Sequence, residues 1–195
     1  MTAHTAERQL QKYEKAEFGF WMYLMTDIIL FASLFATYMV LRNNTAGGET
    51  GSELFDPTYA LAETVILLMS SFTCGIAALA MRFKKKDLAV GMLSATFLLG
   101  AAFIFLELRE FIQLVSEGQS WQVSAFLSSF FTLVATHGLH ITIGLIWGSV
   151  MLWYIFKKGV NANSLRKFTL FSLFWHFLDL VWIFIFTIVY LGVVL

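Results

Sequence analysis

The chain is 195 residues long, 58% of them hydrophobic and only 13% charged, with thirteen basic residues balanced by thirteen acidic ones. Soluble chains carry about 25% charged residues, so this composition, with a mean hydropathy of +0.74, excludes an ordinary water-soluble domain. Zero net charge leaves no global basic field to attract nucleic acid, and the chain reads as an integral membrane protein.

Met1 to Glu17 is polar and mixed in charge, with neither the positive start nor the small-residue cleavage site of a signal peptide. It reads as a cytoplasmic N-terminal tail, residues 1–17, ahead of a retained first span. A helix needs about 20 apolar residues to cross the hydrocarbon of a bilayer. Five stretches qualify: Phe18 to Leu41, Tyr59 to Met81, Leu88 to Leu106, Val123 to Phe156, and Phe168 to Val194. The fourth exceeds one crossing and is expected to tilt or project. Pro57, the only proline, precedes the second span where a helix start accommodates it. The longest connection, Arg42 to Thr58, is too short for a soluble domain. The fold class is therefore all-α, a single domain over residues 18–195 made of five transmembrane helices.

Sidedness follows from Lys and Arg. The tail, the second-to-third connection (Arg82, Lys84, Lys85, Lys86) and the fourth-to-fifth connection (Lys157, Lys158, Arg166, Lys167) together hold eleven of the thirteen basic residues. Only Arg42 and Arg109 fall at the other end. Five spans put all three basic regions on one face, which predicts a cytoplasmic N-terminus and an external, periplasmic C-terminus. Aromatic residues at the span ends fit interfacial belts, with Tyr59, Trp121 and Tyr190 outside and Trp21, Trp153 and Tyr154 inside. The lone cysteine, Cys74, lies in mid-span and reads as a small buried thiol.

Ionisable residues inside the spans carry the functional question, because a charge at mid-bilayer costs about 2.5–3.5 kcal/mol on insertion scales. At about 1.5 Å per residue, Asp27 lies roughly 14 Å into the first span and Asp179 roughly 17 Å into the fifth. His137 and His140 are three apart on the fourth span, and His176 and Asp179 three apart on the fifth. Each pair therefore shares a helix face. The two faces could meet as one His–His–His–Asp cluster that clasps these helices together. A metal or haem site, a proton path and a quinone pocket are the functional alternatives. The Glu-x-x-His pairs of a di-iron bundle are not found in the sequence. Glu63, Glu107, Arg109 and Glu110 form a second group near the outer ends of the second and third spans. There Arg109 is expected to pair with Glu107 or Glu110, and Glu63 to reach interfacial water. Gly144 and Gly148 make a GxxxG on the fourth span, a face suited to close helix approach within a complex.

Two long motifs go further. Thr136-His137-Gly138-Leu139-His140 and Trp175-His176-Phe177-Leu178-Asp179-Leu180-Val181-Trp182 resemble the signatures of subunit III of haem–copper terminal oxidases. Gly19 to Asp27 and Leu34 to Tyr38 resemble the first helix of its five-span form, Glu110-Phe111 its Glu-aromatic pair, and Glu63 its carboxylate one helix earlier. Thr45 to Gly51 with Leu54-Phe55 is most similar to the bo-type ubiquinol oxidase version. The resemblance implies a non-catalytic subunit of a proton-pumping, O2-reducing oxidase in the bacterial inner membrane. This subunit would pack directly against subunit I, beside subunits II and IV, with membrane lipids and bound phospholipid around it. Haems and copper would lie in subunit I, with no cofactor, metal or catalytic residue in this chain, and ubiquinol would act on the complex. His137, His140, His176 and Asp179 then become structural interhelix residues. Asp27 falls where longer homologues carry a glutamate near the proton-uptake side, so its expected role is support of proton uptake. A cytochrome c oxidase subunit III is the nearest alternative reading, and a stand-alone membrane cytochrome or transporter a remote one.

Overall fold

A computed structural model describes residues 3–192, so Val194, the expected end of the last span, lies outside the described residues. The helices are α1 (Ala3–Leu41), the short α2 (Gly51–Leu54), α3 (Pro57–Arg82), α4 (Lys86–Ser116), α5 (Ala125–Lys158) and α6 (Ala162–Ile185). A π-helical turn, Phe186–Leu191, continues α6. Five of these are long and apolar enough to cross a membrane, and no strand occurs among the described residues. The expected all-α, five-span architecture is the one observed.

Local chemistry sets the helix starts. Asp56 accepts the Thr58 N–H at 2.8 Å with Pro57 in the first turn of α3, where its missing N–H costs nothing. Ser124 accepts the Leu127 N–H at 3.1 Å to open α5, and Asn161 accepts the Ser164 N–H at 2.8 Å to open α6. Gly159 ends α5 at φ +67°, a conformation glycine adopts without strain.

Two boundaries differ from expectation. Helix α1 begins at Ala3, so the polar segment before Phe18 is helical and continuous with the first span. Helix α4 runs on past Leu106 to Ser116. Charged Glu107, Arg109 and Glu110 interrupt the hydropathy there, but Phe103, Glu107 and Leu114 keep a buried face at helical spacing.

Helices α3 and α4 form a hairpin joined by Phe83, Lys84 and Lys85. Helix α4 also packs on α5, α6 packs on both α3 and α5, and α1 leans mainly on α5. The seam between α6 and its neighbours is built on tryptophan. Trp175, 1% exposed, lies where Cβ atoms at Gly100 of α4 and Gly144 of α5 would come within 2.7 and 2.9 Å of its ring. Gly148 receives Phe171, at 3.3 Å from an added Cβ. The GxxxG of α5 thus receives side chains of this chain's own last helix, because wide aromatic rings need the room that glycine leaves. The basic ends cluster together: Lys157 covers Trp153 at 4.9 Å, Lys158 and Lys167 cover Tyr154 at 5.4 and 4.6 Å, and Lys86 covers Phe156 at 5.5 Å. These cation–π contacts place the start of α4, the end of α5 and the start of α6 at one end of the bundle.

Candidate functional site

The polar residues of the spans fall into three places rather than two. The first lies between α1 and α5. His140 Nδ1 contacts the Thr136 carbonyl at 2.7 Å, so that nitrogen carries the proton it donates. The other nitrogen, Nε2, faces Asp27 Oδ2 at 3.7 Å, and both residues are buried. With Nδ1–H committed to the carbonyl, the contact is attractive only with a proton between Nε2 and the carboxylate. Asp27 and His140 thus bring a carboxylate oxygen and an imidazole nitrogen together between α1 and α5.

His137, one turn earlier on α5, is fully buried in an aromatic box. It stacks on Trp182 at 5.3 Å and meets Phe103 and Phe31 edge-on at 5.9 and 6.3 Å. Neither ring nitrogen has a hydrogen-bond partner among the described residues.

The second place is the α3–α6 seam. His176 is exposed on the outside of the bundle, with Nδ1 on the Ser172 carbonyl at 2.6 Å and Nε2 beside Gly75. Asp179, 9% exposed, sits next to His176 and Ser71. The structure therefore does not bring His137, His140, His176 and Asp179 into one cluster. His140 turns to α1, His137 into the core, and His176 with Asp179 toward α3. Spacing of three fixes a common face but not the neighbour that face meets, and α6 has two large neighbours.

The third place is the carboxylate group. Glu63 is 0% and Glu107 3% exposed, and none of their four oxygens has a hydrogen-bond partner. Glu107 lies against α5, where a Cβ at Gly138 would approach its Oε1 to 2.7 Å. Glu110 accepts the Tyr190 hydroxyl at 2.9 Å. Three expectations are corrected here. Arg109 is exposed and within 4.0 Å of no carboxylate among the described residues, because it points away from the helix face that carries Glu107. Glu63 does not reach interfacial water, since α4 and the end of α6 close over it. Tyr190 is no interfacial residue but fully buried, turned inward by the π-helical turn that follows Ile185.

Trp175 and Trp182 carry no expected role within the second motif, and Ser70 and Thr64 none at all. The Trp175 indole N–H donates to Ser70 Oγ at 3.1 Å and that of Trp182 to Thr64 Oγ1 at 3.0 Å. The signal was available. Two indoles seven residues apart share a helix face, and each N–H needs an acceptor in an apolar span. Thr64 and Ser70 offer hydroxyls at a matching interval on an antiparallel helix.

As for metal or haem ligation, His137 is boxed by rings, His140 is taken by Thr136 and Asp27, and His176 is on the opposite side of α6. Among the described residues no group of three or more His, Cys, Asp or Glu is placed to share a metal ion. The chemistry this arrangement supports is the holding of protons and the locking of helices.

Comparison with known proteins agrees with the motifs. Residues 3–193 match the family described as cytochrome c oxidase subunit III. The chain is 54% identical over 174 residues to the cytochrome bo(3) ubiquinol oxidase subunit 3 of Pseudomonas aeruginosa, covering 89% of this chain and 83% of that one. It is 48% identical over 173 residues to the quinol oxidase subunit 3 of Bacillus subtilis, covering 89% and 85%. It is also 46% identical over 176 residues to the cytochrome c oxidase subunit 3 of Bacillus sp. PS3, covering 89% and 84%. This multi-pass membrane protein belongs to the cytochrome c oxidase subunit III family.

Proposed function

We propose that this chain is the non-catalytic subunit III of a proton-pumping ubiquinol oxidase that reduces O2 to water. The observation that carries the reading is the family match over nearly the whole chain, joined to the 54% identity with a relative named as a ubiquinol oxidase subunit. The chain packs directly against subunit I, with subunits II and IV in the same complex and phospholipid around it. Haems and copper reside in subunit I, and ubiquinol is oxidised by the complex rather than by this chain. It sits in the bacterial inner membrane as one five-helix domain, residues 18–195, with residues 1–17 on the cytoplasmic side. The N-terminus is cytoplasmic and the C-terminus periplasmic. The clustering of Lys86, Lys157, Lys158 and Lys167 at one end supports that sidedness.

Within this role, His137, His140, His176 and Asp179 act as interhelix residues, and Asp27, in contact with His140, supports proton uptake. Purifying the complex through a tag on this chain tests the reading. A haem difference spectrum in the co-purified material and oxidation of ubiquinol by it are the expected results. A Soret band carried by the single chain after its partners are stripped away would overturn it. A second reading has the relative from Bacillus sp. PS3 behind it. Activity of the same complex with reduced cytochrome c, and none with quinol, would replace the first by that one.

A further inference from the structure

The carboxylate group needs its own explanation. Glu63, Glu107 and Glu110 converge from α3 and α4 beneath the end of α6. No Lys, Arg or His nitrogen lies within 4.0 Å of any of them among the described residues. Two or three bare carboxylates at this depth would be uncompensated charges in a low dielectric, the costliest state a side chain can take. A shared metal ion does not fit the placement of the donors. A proton on a carboxyl oxygen removes the charge, and with it most of the cost of holding the group there.

The group is also connected to water. A cleft of about 140 Å3 opens beside α2 and is lined by Asp56, Tyr59, Glu110, Gln113 and Glu117. Glu110 thus has one side toward the cleft and the other toward the interior, where the Tyr190 hydroxyl donates to its Oε2. Glu107 lies farther in, against Gly138 of α5, and Glu63, fully buried, completes the set. The ionisable groups around it are Asp56 just before α3 and Tyr59 on it, Arg109 on α4 and Glu117 just after it, His137 beside Gly138 on α5, and Tyr190 from the π-helical turn.

We infer that Glu63, Glu107 and Glu110 form a proton-holding site that exchanges with water at the α2 end of the bundle, with Glu110 as the entry group and Glu63 and Glu107 as the store. A proton leaves water in the cleft for a Glu110 oxygen and passes inward to Glu107 or Glu63, and Glu110 returns to the carboxylate that accepts from Tyr190. The site lies at the opposite end of the bundle from the cation–π cluster, and separately from the Asp27–His140 contact. Its existence does not depend on which donor feeds the complex.

Infrared spectroscopy of the intact purified complex, followed through exchange from H2O to D2O, tests this. The carbonyl stretch of a protonated carboxyl stands apart from carboxylate and amide bands and moves on deuteration. Glu63→Gln and Glu107→Gln, near-isosteric changes that keep the packing, are each expected to remove protonated-carboxyl intensity. Glu110→Gln is expected to retain those bands while slowing their deuteration by about 100-fold, the usual loss on removing one proton-transfer group. If Glu110→Gln does not assemble, Tyr190→Phe is expected to shift the carboxylate band of Glu110, which loses the hydroxyl that donates to it. Carboxyl regions identical to wild type in both Glu63→Gln and Glu107→Gln would overturn the store. Unchanged deuteration in Glu110→Gln, or an unshifted spectrum in Tyr190→Phe, would overturn the entry.

Discussion

The ring of Trp175 occupies the space that Gly144 leaves on α5, so close that a Cβ at 144 would lie 2.9 Å from its Cζ3. Gly100 faces the same ring from α4, and the indole N–H is held by Ser70 of α3. One side chain of α6 therefore fixes the spacing of three other helices.

Gly144→Ala and Gly100→Ala are accordingly expected to destabilise the bundle by about 1–3 kcal/mol each through overpacking. Gly91→Ala, which has open space around it, is expected to be neutral or slightly stabilising in its helix. Unfolding of the detergent-solubilised protein, followed by circular dichroism, separates the three. Equal midpoints for Gly91→Ala and Gly144→Ala would contradict the wedge.

Thr64 accepts the buried Trp182 N–H. Thr64→Val keeps the shape and removes the acceptor, leaving that N–H without a partner at a cost of about 1–3 kcal/mol. Thr64→Ser, which retains a hydroxyl, should recover most of that loss in the same unfolding measurement.

Asp27 and His140 should behave as one unit. Asp27→Asn and His140→Gln each change one side of the Nε2–Oδ2 contact, so the double variant is expected to lose no more stability than the worse single one. A coupling of about 0.5–3 kcal/mol in the double-mutant cycle is the expected result, and additive losses would dissolve the pair. In the assembled oxidase, Asp27→Ala is expected to show its defect during sustained turnover rather than in the initial rate.

His176 is exposed on the bundle surface, and among the described residues its hydrogen bonds go to Ser172 of its own helix. His176→Ala is therefore expected to leave the stability of the isolated chain nearly unchanged while reducing its retention in the complex. Subunit stoichiometry after purification measures the latter. Full retention with lost turnover would instead assign His176 to the chemistry.

Outside the membrane, Glu53 accepts the Thr50 N–H at 2.8 Å and the Thr50 hydroxyl at 3.0 Å. The backbone bond first, then the hydroxyl, lowers its pKa from the usual carboxylate value. A carboxylate with a depressed folded pKa contributes order above its unfolded pKa and loses it as pH falls through the folded one. Protection of the Thr50 amide from hydrogen exchange is thus expected to hold at neutral pH and to fall below about pH 4. Glu53→Gln should remove that pH dependence.

The five spans and their rough ends were legible because hydropathy and length are properties of each segment alone. The end of α4 was not, since Glu107 and Glu110 are polar in sequence yet inward-facing, and hydropathy cannot tell a buried carboxyl from a solvated one. The pairing of His140 with Asp27 was equally hidden. Both residues were singled out, but i,i+3 spacing speaks for one helix, whereas the partner depends on which helices touch. Helix α1 returns to lie against α5, far along the chain. Arg109 misled for a related reason, being two residues from Glu107 and so nearly opposite it around the helix. The two motifs carried the family well because they contain the residues that meet three other helices at once, His137 and Trp182.

At about 100° per residue, the eight positions from Trp182 to Tyr190 would leave the tyrosine roughly 80° off the face its predecessor occupies. The widened turn after Ile185 takes up that difference, and the two rings lie 6.2 Å apart. The extra position beyond Trp182 and the wide turn therefore belong together. Ordinary winding over the same eight positions would swing Tyr190 roughly 80° away and take from Glu110 the hydroxyl that donates to it. The connection after Arg42 lies at this same end of the bundle, where Phe55 meets Tyr190 at 5.3 Å, so descendants of this sequence inherit that loop and the wide turn as one fitted unit.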